Sequence, residues 1–118
     1  IGDPELIDAL RQRLGPWPVS GVALKIGAAA LTDTTWADQT RTYLATDAER
    51  LDQLMQRKNA RPMGACPLFR TYEVADARQL HRHLAQRKIW TRVFPYSQTW
   101  IRLGLPPQDQ WERLEAAL

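Results

Sequence analysis

Two arginines, Arg92 and Arg102, carry the clearest chemical signal in this 118-residue sequence. Each lies inside a β-branched and aromatic stretch rather than at its end, the first in residues 89–94 and the second in residues 99–105. A planar guanidinium donates two parallel hydrogen bonds to a carboxylate or phosphate, so arginine is well suited to grip such anions. Period-two alternation sets Arg92 with Trp90 and Phe94, opposite Thr91 and Val93. It sets Arg102 with Trp100 and Gly104, opposite Ile101 and Leu103. If Ile101, Leu103 and Leu105 face a core, Arg102 faces the other way, and Gly104 beside it leaves room for a ligand or another backbone. The same spacing also suits two arginines on a solvated face, with tryptophans shielding their stems. Spacing alone favours the solvated face.

Other candidates are weaker. His81 and His83 are two apart on a predicted helix and so point in different directions. A zinc site needs same-face spacing and further ligands, so both read as surface histidines. Asp47, Glu49 and Asp52 lie among Arg50 and Arg57 on a long predicted helix and read as a solvated charged face. Cys66, the single cysteine, reads as a buried structural thiol. It has no cysteine partner for an internal disulfide, which fits a reducing, cytoplasmic setting. The sequence shows no glycine-rich phosphate loop, no metal-ligand cluster and no G-x-S-x-G elbow.

The elements that would position the arginines follow from periodicity and caps. Asp3 caps a first helix with Pro4 at its first position, its apolar stripe is Leu6, Ile7, Leu10 and Leu14, and Gly15-Pro16 ends it. Residues 20–31 form a second, alanine-rich helix with Val22, Ile26 and Ala29/Ala30 on one face, and Thr32 to Thr35 is a break. A long third helix runs from about Trp36 to Lys58, with a stripe of Trp36, Thr40, Tyr43/Leu44, Ala48, Leu51 and Leu54/Met55. Residues 61–65 and 68–74 read as strands. Asp76, with Gln79 three residues on, caps a helix that turns Leu80 and Leu84 to the core. Residues 89–94 and 99–105 are two more strands. Pro106-Pro107 stops the last, and Gln108 to Leu118 is a closing helix with Trp111, Leu114 and Leu118 on one side. The expected fold class is α+β, a small and mostly antiparallel sheet covered by helices. Residues 1–35 would be linking helices, and residues 36–118 an α-β-β-α-β-β-α core.

Composition agrees with one ordinary domain. Hydrophobic residues make up 44% and charged residues 25%, enough for a modest core without disulfides or metal. No apolar run is long enough for a membrane span. The net charge of +3 and basic pI make nucleic acid conceivable, and five tryptophans could stack on bases. Yet acidic and basic residues are interspersed, and Trp36 and Trp111 fall on apolar helix stripes. Mixed surface charge and core packing account for these features, and no nucleic-acid partner is expected. The opening Ile1-Gly2-Asp3-Pro4 has neither an initiator methionine nor a signal pattern, which suggests a fragment or processed piece.

Several segments, in order, resemble bacterial L-threonine-O-3-phosphate decarboxylases. Gly15-Pro16-Trp17-Pro18-Val19-Ser20-Gly21, followed by Ala23-Leu24, is similar to their GPW-x-VSG-x-AL segment. Ala30-Leu31-Thr32-Asp33-Thr34-Thr35-Trp36 is similar to AL-x-D-x-x-W. Pro67-Leu68-Phe69-Arg70 resembles TPLFRL, with Cys66 where threonine is common. Thr91-Arg92-Val93-Phe94-Pro95 resembles VRRFP, and Trp100 to Pro106 resembles WLRFGLP. Val22 stands where proline is frequent and Thr91 where valine is usual.

The resemblance implies the C-terminal small domain of a fold-type-I, pyridoxal-phosphate-dependent enzyme, close to histidinol-phosphate aminotransferases. It implies that Arg102 grips the substrate α-carboxylate and that Arg92 contacts the substrate phosphate. The cofactor-anchoring lysine would lie in a preceding large domain, and Lys25, Lys58 and Lys88 match no such motif. No catalytic, cofactor-binding or metal residue is therefore assigned within these residues. Pyridoxal 5'-phosphate is expected in the full-length enzyme and not on this piece alone, which is expected to be inactive. The expected partners are a small phosphorylated amino acid, the large domain and a second copy in a homodimer, with no membrane. The expected reaction is decarboxylation, giving (R)-1-amino-2-propanol phosphate for cobalamin biosynthesis; a histidinol-phosphate-type aminotransferase is the alternative.

Overall fold

A computed structural model of the chain describes residues 2–118; Ile1, from which the processed-piece expectation starts, lies outside them. The residues divide into two units, the first ending at Ala37 and the second running Asp38–Leu118.

The first unit holds helices α1 (Pro4–Leu14) and α2 (Gly21–Thr32). The Asp3 carboxylate accepts from the Glu5 and Leu6 amides, and the Ser20 hydroxyl from the Ala23 amide. These caps satisfy amides that would otherwise lack partners in the first helical turn. Gly15 ends α1 at φ +74°, a conformation that suits glycine. Neither helix buries a residue; Leu6, Leu10, Leu14, Val22, Leu24 and Ile26 are all exposed.

Helix α3 (Thr34–Gln56) starts two residues earlier than the sequence pattern suggests, because Asp33 caps it through the Trp36 amide. The predicted break thus shrinks to a single residue, Asp33. The apolar stripe is used only in its C-terminal part, where Ala48, Leu51, Leu54 and Met55 are buried. Trp36 is 62% exposed, so the expectation of core packing fails for it.

The second unit adds β1 (Arg61–Cys66), β2 (Phe69–Glu73), α4 (Ala77–Gln86), β3 (Arg92–Val93) and β4 (Trp100–Gly104). A short 3-10 turn (Gln108–Gln110) then leads into α5 (Trp111–Ala117). The sheet order is β1-β2-β4-β3 and every pairing is antiparallel. Alternation along β4 is as the sequence predicts: Ile101 and Leu103 are buried, while Trp100 and Arg102 are only half-buried and Gly104 is exposed. The core joins Leu51, Leu54 and Met55 of α3 to Tyr72, Ile101, Leu103, Trp111 and Leu114. One sheet face is thereby covered by helices, the α+β arrangement expected.

Two polar groups of α3 depart from the solvated face predicted for them. Asp47 is buried and accepts from the Gln108 amide at 2.8 Å. Asp52 is largely buried: Arg70 donates to it through Nε at 3.1 Å and again through Nη2, and the Tyr72 hydroxyl donates at 2.7 Å. The Asp52 hydrogen bond and charge hold the Arg70 pKa above its ordinary value, against an opposing effect of burial. Burial raises the pKa of the Tyr72 phenol, and Asp52 raises it further. Cys66 is half-buried at the β1–β2 turn rather than enclosed, since the strand ends there.

Strand β3 is much shorter than the six residues predicted. The end of α4 consumes the start of that stretch: the Lys88 and Ile89 amides donate back to the Ala85 and Leu84 carbonyls, and Lys88 takes φ +59°. Arg113 of α5 locks this turn by donating to the Arg87 and Lys88 carbonyls at 2.7 and 2.9 Å. The loop that delivers Arg92 is therefore tied to two helices.

Candidate functional site

Arg92 and Arg102 are register partners on adjacent antiparallel strands. Both line one hollow of about 620 Å³, together with Phe69, His81, Trp90 and Gly104. The Arg102 guanidinium lies 4.5 Å from the centre of the Phe69 ring, a cation–π contact that supports it from below. Arg92 stands 5.6 Å from the Phe94 ring. Among the described residues neither arginine has a carboxylate partner, whereas Arg11, Arg41, Arg50, Arg61 and Arg70 all do. Two like charges directly opposite on neighbouring strands repel, so this pair destabilises the sheet unless an anion joins it. Uncompensated guanidinia in a shared hollow form a site prepared for negative charge.

The remaining lining shapes that site. A Cβ added to Gly104 would meet nothing within 4 Å, so the chain itself does not require glycine there and the space is open. Trp90, 83% exposed, lies outside β3 but still lines the hollow and meets the His81 ring edge-on at 5.1 Å. His81 is not the free surface histidine the spacing suggested. It is half-buried, and its Nδ1 lies 2.8 Å from the Thr91 hydroxyl. His83 points elsewhere, its Nε2 bonding to the Ala117 carbonyl at 3.0 Å. Sequence reasoning missed Phe69 and His81 as neighbours of the arginines. Both come from other elements, and only strand register and helix packing bring them in.

The donor set suits the anionic groups of a small molecule. It does not suit the covalent anchoring of pyridoxal phosphate, because no lysine lines the hollow. Lys25 lies on α2, and Lys58 and Lys88 lie in the turns after α3 and α4. Among the described residues no group of three or more histidine, cysteine or acidic side chains could hold a metal ion, and no helix is long and apolar enough to cross a membrane.

The chain is 37% identical to a threonine-phosphate decarboxylase of Pseudomonas aeruginosa over 119 residues, which covers all of this chain and 36% of that protein. It is 36% identical to a threonine-phosphate decarboxylase of a Sinorhizobium species over 103 residues, covering 85% of this chain and 29% of that protein. The chain thus spans about a third of the length of these curated relatives. The crystal structure of a protein assigned as an aminotransferase, from Burkholderia pseudomallei, superposes with a TM-score of 0.75 at 21% identity. That superposition covers 98% of this chain and 37% of the other, and establishes the shared fold. The model of the family aminotransferase class I and II matches residues 1–118, and this chain belongs to that family.

Proposed function

We propose that this chain is the C-terminal small domain of a pyridoxal-phosphate-dependent L-threonine-O-3-phosphate decarboxylase and supplies the anion grips for its substrate. Arg102 takes the α-carboxylate and Arg92 the phosphate. The observation that carries this reading is their direct opposition across β3 and β4 above one hollow. Cross-strand neighbours place their Cβ atoms roughly 5 Å apart. In threonine phosphate the carboxyl carbon and the phosphorus are four bonds apart, also roughly 5 Å when extended. One small dianionic molecule can therefore engage both guanidinia. Arg102, resting on Phe69, is held in place before the ligand arrives, so little ordering is needed on binding. Its task is to orient the carboxylate without over-stabilising the ground state.

The similarity to two threonine-phosphate decarboxylases supports the choice of substrate and reaction. The product would be (R)-1-amino-2-propanol phosphate, made in the cytoplasm for cobalamin biosynthesis. A preceding large domain would contribute the cofactor lysine. The exposed apolar side chains of the first unit, Trp17 at 87% among them, support its docking there or in a homodimer.

The test is a substrate panel on the full-length protein. Release of carbon dioxide from L-threonine phosphate is the expected result. Amino transfer to 2-oxoglutarate without carbon dioxide would overturn it in favour of a histidinol-phosphate-type aminotransferase.

A further inference from the structure

We propose that His81 is a third anion ligand of the Arg92–Arg102 hollow, its Nε2–H donating to the phosphate of the bound molecule. The choice of a phosphate monoester as ligand rests on the function proposed above; the donor geometry does not.

The argument begins with Thr91. This residue is only 5% exposed, and its hydroxyl carries a proton that a buried site must satisfy. Among the described residues the only hydrogen-bond partner of that hydroxyl is His81 Nδ1, at 2.8 Å. The hydroxyl therefore donates and Nδ1 accepts, which puts the ring proton on Nε2. Nε2 is therefore the ring's free donor, and it makes no hydrogen bond to the described residues.

Its helix and two contacts hold the ring in this position. Helix α4 carries it, Thr91 fixes its rotation, and Trp90 packs against it edge-on at 74°. Thr91 immediately precedes Arg92, so one short segment positions both the arginine and the histidine's partner. His81, Arg92 and Arg102 all line the same hollow, while the site holds no acidic side chain to compete with a ligand. Two charged forks on the sheet and a donor carried by a separate helix offer more hydrogen bonds than a planar carboxylate can use, and suit a phosphate with three terminal oxygens.

The 118-residue chain contains two histidines, so ring-nitrogen NMR reads them directly, with His83 as an internal control. The ligand-free protein should show His81 protonated on Nε2 and bare on Nδ1. Titration with inorganic phosphate, then with O-phospho-L-threonine, should shift the His81 Nε2 signal and leave His83 unmoved. His81→Ala should weaken phosphate binding by about tenfold or more, as expected for the loss of one hydrogen bond to a charged group. His81→Gln, which keeps an N–H near the Nε2 position, should recover part of it. A His83 signal unchanged from wild type in His81→Ala and His81→Gln would show that the fold is intact. No His81 shift with either ligand, or a bare Nε2, would overturn the inference. So would a phosphothreonine response that persists undiminished in His81→Ala. A His81 shift with inorganic phosphate, together with amino transfer and no carbon dioxide release in the full-length substrate panel, would leave the anion site standing and remove the decarboxylase reading instead.

Discussion

Replacing Asp52 by alanine should destabilise the second unit by about 3 kcal/mol, the sum of two separate losses. Tyr72 is fully buried, and among the described residues its hydroxyl donates only to Asp52, at 2.7 Å. Leaving such a donor without a partner costs about 1–3 kcal/mol. Arg70 loses both of its bonds to the carboxylate. Breaking a fully buried ion pair costs about 3–5 kcal/mol, but the Arg70 side chain is 14% exposed and water can reach it, so about 1–2 kcal/mol is expected. With a urea slope of about 1.5 kcal/mol per molar, the unfolding midpoint should fall by about 2 M. Tyr72→Phe removes the hydroxyl together with its need for a partner, so alone it should cost about 1 kcal/mol. In that background Asp52→Ala should cost visibly less than in the wild type, the signature of a shared network. A midpoint within about 0.3 M of wild type for Asp52→Ala would refute the reasoning, because Asp52 would then be the solvated residue its sequence position suggests. The network also matters for the site. It ties β2 to α3, and β2 carries the Phe69 ring on which Arg102 rests.

Further outcomes follow from the same structure. In the full-length protein, Arg102→Ala should raise KM for threonine phosphate by tenfold or more while leaving the cofactor's absorbance unchanged; loss of that absorbance would contradict the carboxylate role. Phe69→Leu keeps an apolar floor but removes the ring, and should raise the same KM by about threefold, as expected for one partly exposed cation–π contact. Alkaline unfolding should depend on Tyr72. Its folded pKa lies above the ordinary value of 10.0, so above that pH the unfolded chain releases a proton that the folded one retains. The stabilisation is fully present below pH 10 and is lost as pH rises, by at most about 1.4 kcal/mol per pH unit, and Tyr72→Phe should flatten that limb of a urea–pH series. Light scattering of the 118-residue chain should show self-association at high concentration through the apolar surface of α1 and the Trp17–Leu24 segment, and a monomer throughout would count against it.

Local signals predicted the helices and β4 well because their information is local. Asp3, Ser20 and Asp76 each cap the helix that follows, and alternation in β4 follows from the side chains themselves. The missed features all depend on partners distant in sequence. Asp52 resembles any charged helix residue until β2 brings Arg70, eighteen positions later, against it. His81 resembles a surface histidine until the turn after α4 folds Thr91 back to it. The shortness of β3 has the same origin. Its residues have strand propensity throughout, but the end of α4 and the Arg113 contacts to its last carbonyls take the first of them. The opposition of Arg92 and Arg102 depends on register, which neither stretch specifies alone.

The sheet order gives the two arginines unequal freedom. Arg102 sits on β4, bonded to a neighbour on each side, whereas Arg92 sits on a two-residue rim strand bonded on one side only. One anchor point is stiff and the other compliant. Molecules that share an amino-acid head but differ in tail length could be accommodated by adjusting the rim, with the packed interior left untouched. Divergence of substrate choice on this scaffold would then concentrate at Trp90 and Arg92, exposed positions of this rim, rather than at its buried neighbours.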